Sequence, residues 1–431
     1  MQATAAVGDP YARAPSVSSA YAWCVFALTF GLLLADYMSR QVLNAVFPLL
    51  KAQWMLTDTQ LGSLSSIVSL MVGLLAFPLS ILADRWGRVR SLFLMAMLWS
   101  VATLGCAIST SYGQMFAARL FIGVGEAAYG SVGLAVVLSV FPAHLRATLS
   151  GSFLAGGSFG SMLGMAVSGI VAAHLGWRWA FATMAVFGFV LAVLYRIVVT
   201  EQRIAPGRPA VSRGMPNGPK PRFTARGLAR ALFASKSVVF AYLGCGVQLI
   251  LPGATFVWLP SYLLRSYGMP LDRASALAAM LVLTSGVGLI GCGMLTDRIS
   301  RTRPARKWTM AIAYCALSGI AFVTAFRLPP GPPQLVLIGV GMLLESGAVG
   351  PTGALVAELT PPQLHATAMA IWALANNLLG LAAGSVMTGM LADRMGLRAA
   401  LELIPLATLV STLLFFAGKS LYRRDVARHA A

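Results

Sequence analysis

Acidic residues are scarce in this chain, with 13 Asp and Glu among 431 residues, and charged residues of both signs together reach only 10%. Soluble domains carry about 25% charge, so water is not the main solvent of most of these side chains. Cysteine is sparse too. Cys24, Cys106, Cys245, Cys292 and Cys315 fall in apolar segments without paired spacing, which argues against a disulfide framework or a metal-thiolate site. His144, His174 and His365 lack metal-ligand spacing. No Walker loop, no GxGxxG after a strand and no Ser/His/Asp set occurs, so an enzyme is not implied, nor ATP as an energy source, and no cofactor is expected. A cleavable leader is not expected either, because the first 20 residues are small and polar with no apolar stretch before a cleavage site.

Hydrophobic residues make up 58%, above the roughly 45–50% of globular chains. A window of about 20 residues, the length that crosses a bilayer, gives twelve candidate spans. They lie near 20–49, 60–83, 91–109, 113–140, 147–173, 178–199, 236–264, 274–296, 307–326, 333–358, 365–391 and 398–419. The predicted organisation is a tail at 1–19, a six-helix half at 20–199, a linker at 200–235, a second half at 236–419 and a tail at 420–431. The stretch from Glu201 to Lys236 holds eight Lys or Arg against one acid, with Pro and Gly scattered through it, and reads as a flexible linker.

The net charge of +19 has its explanation in location, not in nucleic acid. With both termini inside, 22 of the 32 Lys and Arg fall on the cytoplasmic side, seven outside and three within spans. This is the positive-inside bias of a polytopic protein, expected here in a bacterial inner membrane.

Two offsets expose an internal repeat. At 219 residues, Glu126 aligns with Glu345, and FPAHLRAT (141–148) aligns with TPPQLHAT (360–367). At 213, LADRWGR (82–88) aligns with LTDRISR (295–301). Repeats of this length in an apolar chain are the sign of a transporter built from two halves.

The motifs now carry a resemblance. SILADRWGR (80–88) and its echo GMLTDRISR (293–301) resemble the signature loop of the major facilitator superfamily, over essentially the whole chain. Within it, DYMSRQVLN (36–44), GVGEA (123–127) and GWRWAF (176–181) are similar to spinster-like transporters and the neighbouring anion:cation symporters. The resemblance implies an all-α membrane protein of twelve transmembrane helices in two pseudo-symmetric halves, and solute transport. Ser80 and Ser300 replace glycines of the loop pattern, and Ser39 stands where spinster-like proteins usually carry Asp.

Charges inside spans mark the candidate site, because each costs at least ~2.5–3.5 kcal/mol at the bilayer centre unless it meets a partner or a wet cavity. Asp36 and Arg40 are four residues apart on helix 1, and Arg119 and Glu126 seven apart on helix 4. Each spacing keeps the pair on one helical face. The repeat partners of Asp36, Arg40 and Arg119 are Leu249, Gly253 and Ile338, so only Glu126 has an acidic equivalent, Glu345, which joins Asp36, Arg40, Arg119 and Glu126 as a candidate substrate- and proton-coupling residue. Coupling chemistry is therefore expected in the first half. Tyr37 beside this pair and Phe256, Trp258, Tyr262, Asn376 and Asn377 from the second half are candidate cavity residues; packing at the membrane edge is the plainer reading of the aromatics. Arg40 meeting Glu126 would be a proton-released switch for an anionic ligand, or else a fixed salt bridge. Arg119 either serves the site or snorkels to the outer interface. Asp84, Arg85, Arg88, Asp297, Arg298 and Arg301 are candidate gate residues, each Asp positioned to accept hydrogen bonds from the start of another helix.

The expected protein is a proton-coupled secondary transporter of a small organic anion, monomeric, in contact with lipid and binding neither metal nor nucleic acid. An exporter or flippase of an amphiphile such as a lysolipid or drug is the alternative. A channel and a non-transporting sensor fit the duplicated halves and the lack of an output domain less well.

Overall fold

A computed structural model describes residues 18–142, 145–204, 235–361 and 364–430. The described chain is helical without a strand. Among the described residues, twelve helices are long and apolar enough to cross a membrane: α1 Ser19–Trp54, α2 Asp58–Trp86, α3 Arg88–Ile108, α4 Tyr112–Val140, α5 Thr148–Leu175, α6 Trp177–Val198, α7 Lys236–Tyr267, α8 Leu271–Ser300, α9 Arg306–Arg327, α10 Pro332–Glu358, α11 His365–Met395 and α12 Leu397–Tyr422. An even number of spans leaves both ends of the described chain on one face, here called the near face.

Helix starts follow ordinary capping chemistry. Ser18, Thr57, Ser111 and Ser235 each accept a backbone N–H from the first turn that follows, and Thr57 with Gln60 completes a reciprocal capping box. The α5–α6 and α11–α12 turns are built alike on Gly176 (φ 90°) and Gly396 (φ 85°), backbone conformations that favour a residue without Cβ. The outer belt is apolar. Ile108, Ile197 and Leu413 are 71%, 70% and 68% exposed, which suits lipid and would be an aggregation liability in water.

The two halves meet along two seams of small residues. In one, Gly169 and Gly286 lie against Ser275 and Ser158 between α5 and α8. In the other, Gly62 and Gly73 on α2 face Ser385 and Asn377 on α11, while Gly389 on α11 faces the Asp58 carbonyl. Within the first half, Gly156, Gly157, Gly160 and Gly164 seat α5 on α1 against Phe30, Tyr37, Leu34 and Met38. Close backbone approach of this kind is what small residues permit.

Among the described residues, α4, α7 and α10 are interrupted along their length. In α4 the break follows Glu126 and in α10 it follows Glu345, so the repeat is a repeat of broken helices as well as of sequence. Pro351 lacks the N–H that would donate to the Gly347 carbonyl, and Pro252 has none to give the Gln248 carbonyl at the α7 break around Leu249. The α4 break has no proline to cause it. The second half adds a π-helical stretch, Asn376–Ala382, within α11.

Two boundaries differ from those expected. The chain after α6 forms a short helical turn, Glu201–Ile204, in which Glu201 Oε1 accepts the Val89 N–H at 2.8 Å and so helps close the start of α3. At the other end, helix continues from Ala407 to Ala430, and Asp425 accepts Ser235 Oγ and the Ser237 N–H, both at 2.9 Å, at the start of α7. The expected tail from 420 is thus helical and docked, because α7 offers it unpaired N–H groups. Residues 1–17 and 205–234, which hold most of the expected tail and linker, lie outside the described residues, as does His144.

Candidate substrate cavity and its seals

Between the halves lies a cavity of about 440 Å³, lined from the first half by Asp36, Tyr37, Arg40, Asn44, Ser65 and Glu126 among others, and from the second by Phe256, Val257 and Asn377. Its lining residues at one end, Asn44 and Ser65, are buried, whereas Ser131 and Leu154 at the other are exposed. The cavity therefore opens to the near face and is closed to the far one.

The centre of the wall is an ion pair. Arg40 Nη2 lies 2.6 Å and Nε 3.0 Å from Glu126 Oε2, with the Glu126 side chain fully buried and Arg40 19% exposed toward the cavity. Helical spacing brings Asp36 to the same face of α1, one turn before Arg40, and the α4 break places Glu126 at a helix end opposite it. Ser39 Oγ donates to the Asp36 carbonyl at 2.8 Å and reaches Glu126 Oε1 at 3.5 Å. Asp36 is buried, and its Oδ1 has no hydrogen-bond partner among the described residues. The guanidinium also sits 5.3 Å from the Tyr37 ring centroid, in the range of a cation–π contact. The site thus holds two carboxyl groups around one arginine, with hydroxyl and amide groups at Asn44, Gln41 and Ser65 joined in a chain of hydrogen bonds toward the sealed end.

Other expected residues do not line this cavity. Arg119 does not snorkel: it is completely buried, gives Nε to the Leu64 carbonyl at 3.1 Å and keeps Nη1 and Nη2 without partners among the described residues. Trp258 and Tyr262 are completely buried elsewhere. Trp258 Nε1 donates to the Ser385 carbonyl while its ring meets Phe47, and the Tyr262 hydroxyl accepts from Gln334 Nε2 at 2.9 Å beside Phe326. Of the three expected aromatics only Phe256 faces inward, because a helix turns about 100° per residue and positions 258 and 262 point away from 256. The same rotation separates Asn377, at the wall, from the buried Asn376.

Glu345 is the largest departure. It is completely enclosed outside the cavity, Oε2 accepting from Thr255 Oγ1 at 3.1 Å and Oε1 unpartnered among the described residues, with no cation in reach of a salt bridge. Gln248 Nε2 holds its backbone carbonyl at 3.1 Å, tying the α7 break to the α10 break.

On the near face, Asp84 of α2 pairs across the Gly87 turn with Arg88, the first residue of α3, at 3.0 Å, and among the described residues no hydrogen bond or ion pair carries Asp84 or Asp297 to the other half. On the far face the halves are clamped. Asp58 at the start of α2 receives both Arg265 terminal nitrogens from α7 at 2.9 and 3.0 Å and Lys51 from α1 at 2.7 Å. Asp393 on α11 accepts the N–H groups of Asp58 and Thr59 at 2.7 and 2.8 Å and the Thr59 hydroxyl at 2.6 Å. Charge and hydrogen bonding from a carboxylate at a helix N-terminus suit one another. Sequence reasoning missed this cluster, although LADRMG at 391–396 repeats LADRWG at 82–87 and would have pointed to Asp393.

A family model, Major Facilitator Superfamily, matches residues 29–384. The chain is 24% identical to a hexuronate transporter of Bacillus subtilis over 73% of its own length and 75% of that protein's. It is 26% identical to the sphingosine-1-phosphate transporter SPNS2 of Danio rerio over 85% of this chain and 75% of that one, and 26% identical to a gallate transporter of Pseudomonas putida over 86% of each. Among solved structures, a bacterial homolog of the human lysosomal transporter Spinster, in an inward-facing and unoccupied conformation, superposes with a TM-score of 0.81 at 18% identity, covering 95% of this chain and 99% of that one.

Proposed function

Since the chain belongs to the major facilitator superfamily, and so is a membrane transporter and not an enzyme, we propose that it moves a small organic anion by alternating access, coupled to protons. The near face is then the cytoplasmic one, in a bacterial inner membrane, and the state described above is inward-open. The observation that carries the reading is the Arg40–Glu126 pair at the wall of a cavity open on one side. An arginine keeps its charge at any working pH and grips a carboxylate in two places. While Glu126 is ionised it occupies that grip. Protonating Glu126, or the neighbouring Asp36, weakens the internal pair and frees the guanidinium for a ligand carboxylate; loss of the proton restores the pair and expels the ligand. Proton and substrate are linked through one side chain. The relatives named for hexuronate, L-galactonate and gallate support an acid as substrate.

A second reading has its own observation. Leu33, Leu154, Phe256 and Val257 make much of the cavity apolar, and one relative is named for sphingosine-1-phosphate. An amphiphile would be held mainly by these side chains and would depend on Arg40 far less than a small acid does.

Reconstitution into liposomes with an imposed pH gradient separates the cases, with gallate, a hexuronate and a lysolipid phosphate as trial substrates. Glu126→Gln and Asp36→Asn are expected to abolish uphill accumulation while leaving downhill exchange partly intact. Arg40→Lys should lose most binding of the transported acid, because a point charge replaces a planar fork. Undiminished pH-driven uptake in both carboxyl variants would sink the coupling scheme. Wild-type ligand affinity in both Arg40→Lys and Arg40→Ala would make Arg40 a structural partner of Glu126 and favour the amphiphile.

A further inference from the structure

Away from the cavity, a groove of about 700 Å³ lies where α2, α3 and α6 reach the near face. Trp86 in the last turn of α2, Arg90 in the first turn of α3 and Arg196 in the last turn of α6 stand around it, with Phe93 and Leu94 beneath. Trp86, Arg90 and Arg196 are exposed. Neither arginine has an ion pair among the described residues. The one acid in the lining, Glu201, points Oε1 at the Val89 N–H.

A second, smaller groove of about 120 Å³ shares Trp86 and Leu94 with the first and is otherwise walled by side chains such as Leu79, Leu82 and Leu98. A basic opening thus continues into an apolar slot. From there exposed Leu98 and Val101 on α3, and Val193 and Ile197 on α6, lead along the outer belt toward the bilayer centre. Their spacings of three and four residues keep each set on one helical face.

We propose that this is a binding site for one anionic phospholipid of the near leaflet, with the phosphate held by Arg90 and Arg196 and an acyl chain laid along α3 and α6. Guanidinium groups match phosphate oxygens in planar, paired geometry. Tryptophan is at home at headgroup level, and basic residues beside a bilayer draw anionic lipid. A free phosphate would satisfy the arginines but leave the apolar slot unused, which is why a lipid is the occupant. The site is separate from the gate arginines Arg85 and Arg88 and independent of what the cavity carries.

The test uses the full chain in vesicles of phosphatidylcholine alone or mixed with phosphatidylglycerol, and counts lipid retained after detergent exchange by native mass spectrometry. The expected result is one phosphatidylglycerol retained in preference to phosphatidylcholine. Arg90→Gln with Arg196→Gln should weaken that retention about tenfold or more, the effect of removing two basic residues from an anionic surface. The charge-matched pair Arg303→Gln with Arg424→Gln, also exposed but outside the groove, should retain the lipid as before, and both double variants should melt like the parent. Equal retention by the groove variant overturns the proposal. Displacement of the lipid by excess inorganic phosphate would assign the arginines to a soluble anion and overturn it as well.

Discussion

The tetrapeptide Leu-Ala-Asp-Arg occurs at 82–85 near one face and at 391–394 near the other, and the two copies are in opposite conditions. Each ends a long helix before a glycine of positive φ, Gly87 at 98° and Gly396 at 85°. Asp393 reaches across the boundary between halves and accepts two N–H groups and a hydroxyl at the start of α2. Asp84 reaches only Arg88, across the turn at the start of α3 in the same half. The engaged copy is on the closed face and the idle copy on the open one. The difference fits a carboxylate clasp that acts where a helix N-terminus from the other half is presented to it; under the alternating access proposed above, a rocking of the halves would release one clasp as it offers the other its target.

The largest break in this comparison is expected at Asp58, which the far-face clasp holds by its N–H and which itself joins Lys51 to Arg265. Its side chain is 4% exposed while those of Lys51 and Arg265 keep 37% and 28%, so the two pairs lie between an exposed pair and a fully buried one, whose breaking costs about 3 kcal/mol. Asp58→Asn should therefore move the population toward a far-open state by roughly tenfold or more. A cysteine placed at Ser65, at the sealed end of the cavity, in a Cys24→Ser background, reports it. Its reaction with a membrane-impermeant thiol reagent from the far side should rise steeply, and an unchanged rate would show that the clamp is not what closes this face.

Much of this was legible in the sequence and some was not, for reasons of geometry. The spans were readable because each is a run of apolar residues longer than a bilayer needs, and Arg40 with Glu126 because a charge in such a run has to find a partner. The faces of α7 and α11 were not readable. Trp258, Tyr262 and Asn376 share composition with Phe256 and Asn377 and differ only in rotation about the helix axis. The far-face clamp was hidden for another reason: Arg265 lies 207 residues from Asp58, and Asp393 lies 335 from it, so charges that look like ordinary loop charges along the chain are partners in space. Glu345 shows the limit of repeat logic. Its position and its helix break are duplicated, yet no arginine stands opposite it because Gly253 occupies the place equivalent to Arg40. Glu345→Gln keeps a side chain that fits beside Thr255, so it should spare pH-driven uptake that Glu126→Gln abolishes; equal loss in the two variants would restore Glu345 to the coupling site.

A smaller effect is expected from the clasp itself. Asp393 is exposed, so solvent screens its charge and its hydrogen bonds are worth less than those of a buried group. Asp393→Asn keeps an acceptor oxygen and loses the charge that favours a helix N-terminus, an effect of about 0.3–1 kcal/mol. Reaction of the Ser65→Cys probe from the far side should rise a few-fold. A rise as large as that of Asp58→Asn would place the energy of closure in the clasp instead of in the ion pairs beside it.

The smallest change in this state, and the one that sharpens the comparison most, belongs to the idle copy. Asp84→Asn removes a pair exposed to solvent, 42% on Arg88 and 62% on Asp84, and such pairs contribute only about 0.3–0.5 kcal/mol. Asp297 has no recorded partner to lose among the described residues. The state open to the near face should therefore keep its melting behaviour in Asp84→Asn and in Asp297→Asn. The opposite state, in which the near face closes, loses the clasp that would hold it shut, so the population moves toward the state described above. A cysteine at Leu154, exposed at the mouth of the cavity, should label faster from the near side, and the Ser65→Cys probe should label more slowly from the far side. Opposite responses of the two probes to Asp84→Asn and Asp393→Asn are the signature of one motif serving two faces in turn. Unchanged labelling at both probes in Asp84→Asn and Asp297→Asn would mean that the near-face turns do no more than anchor their arginines at the lipid headgroups.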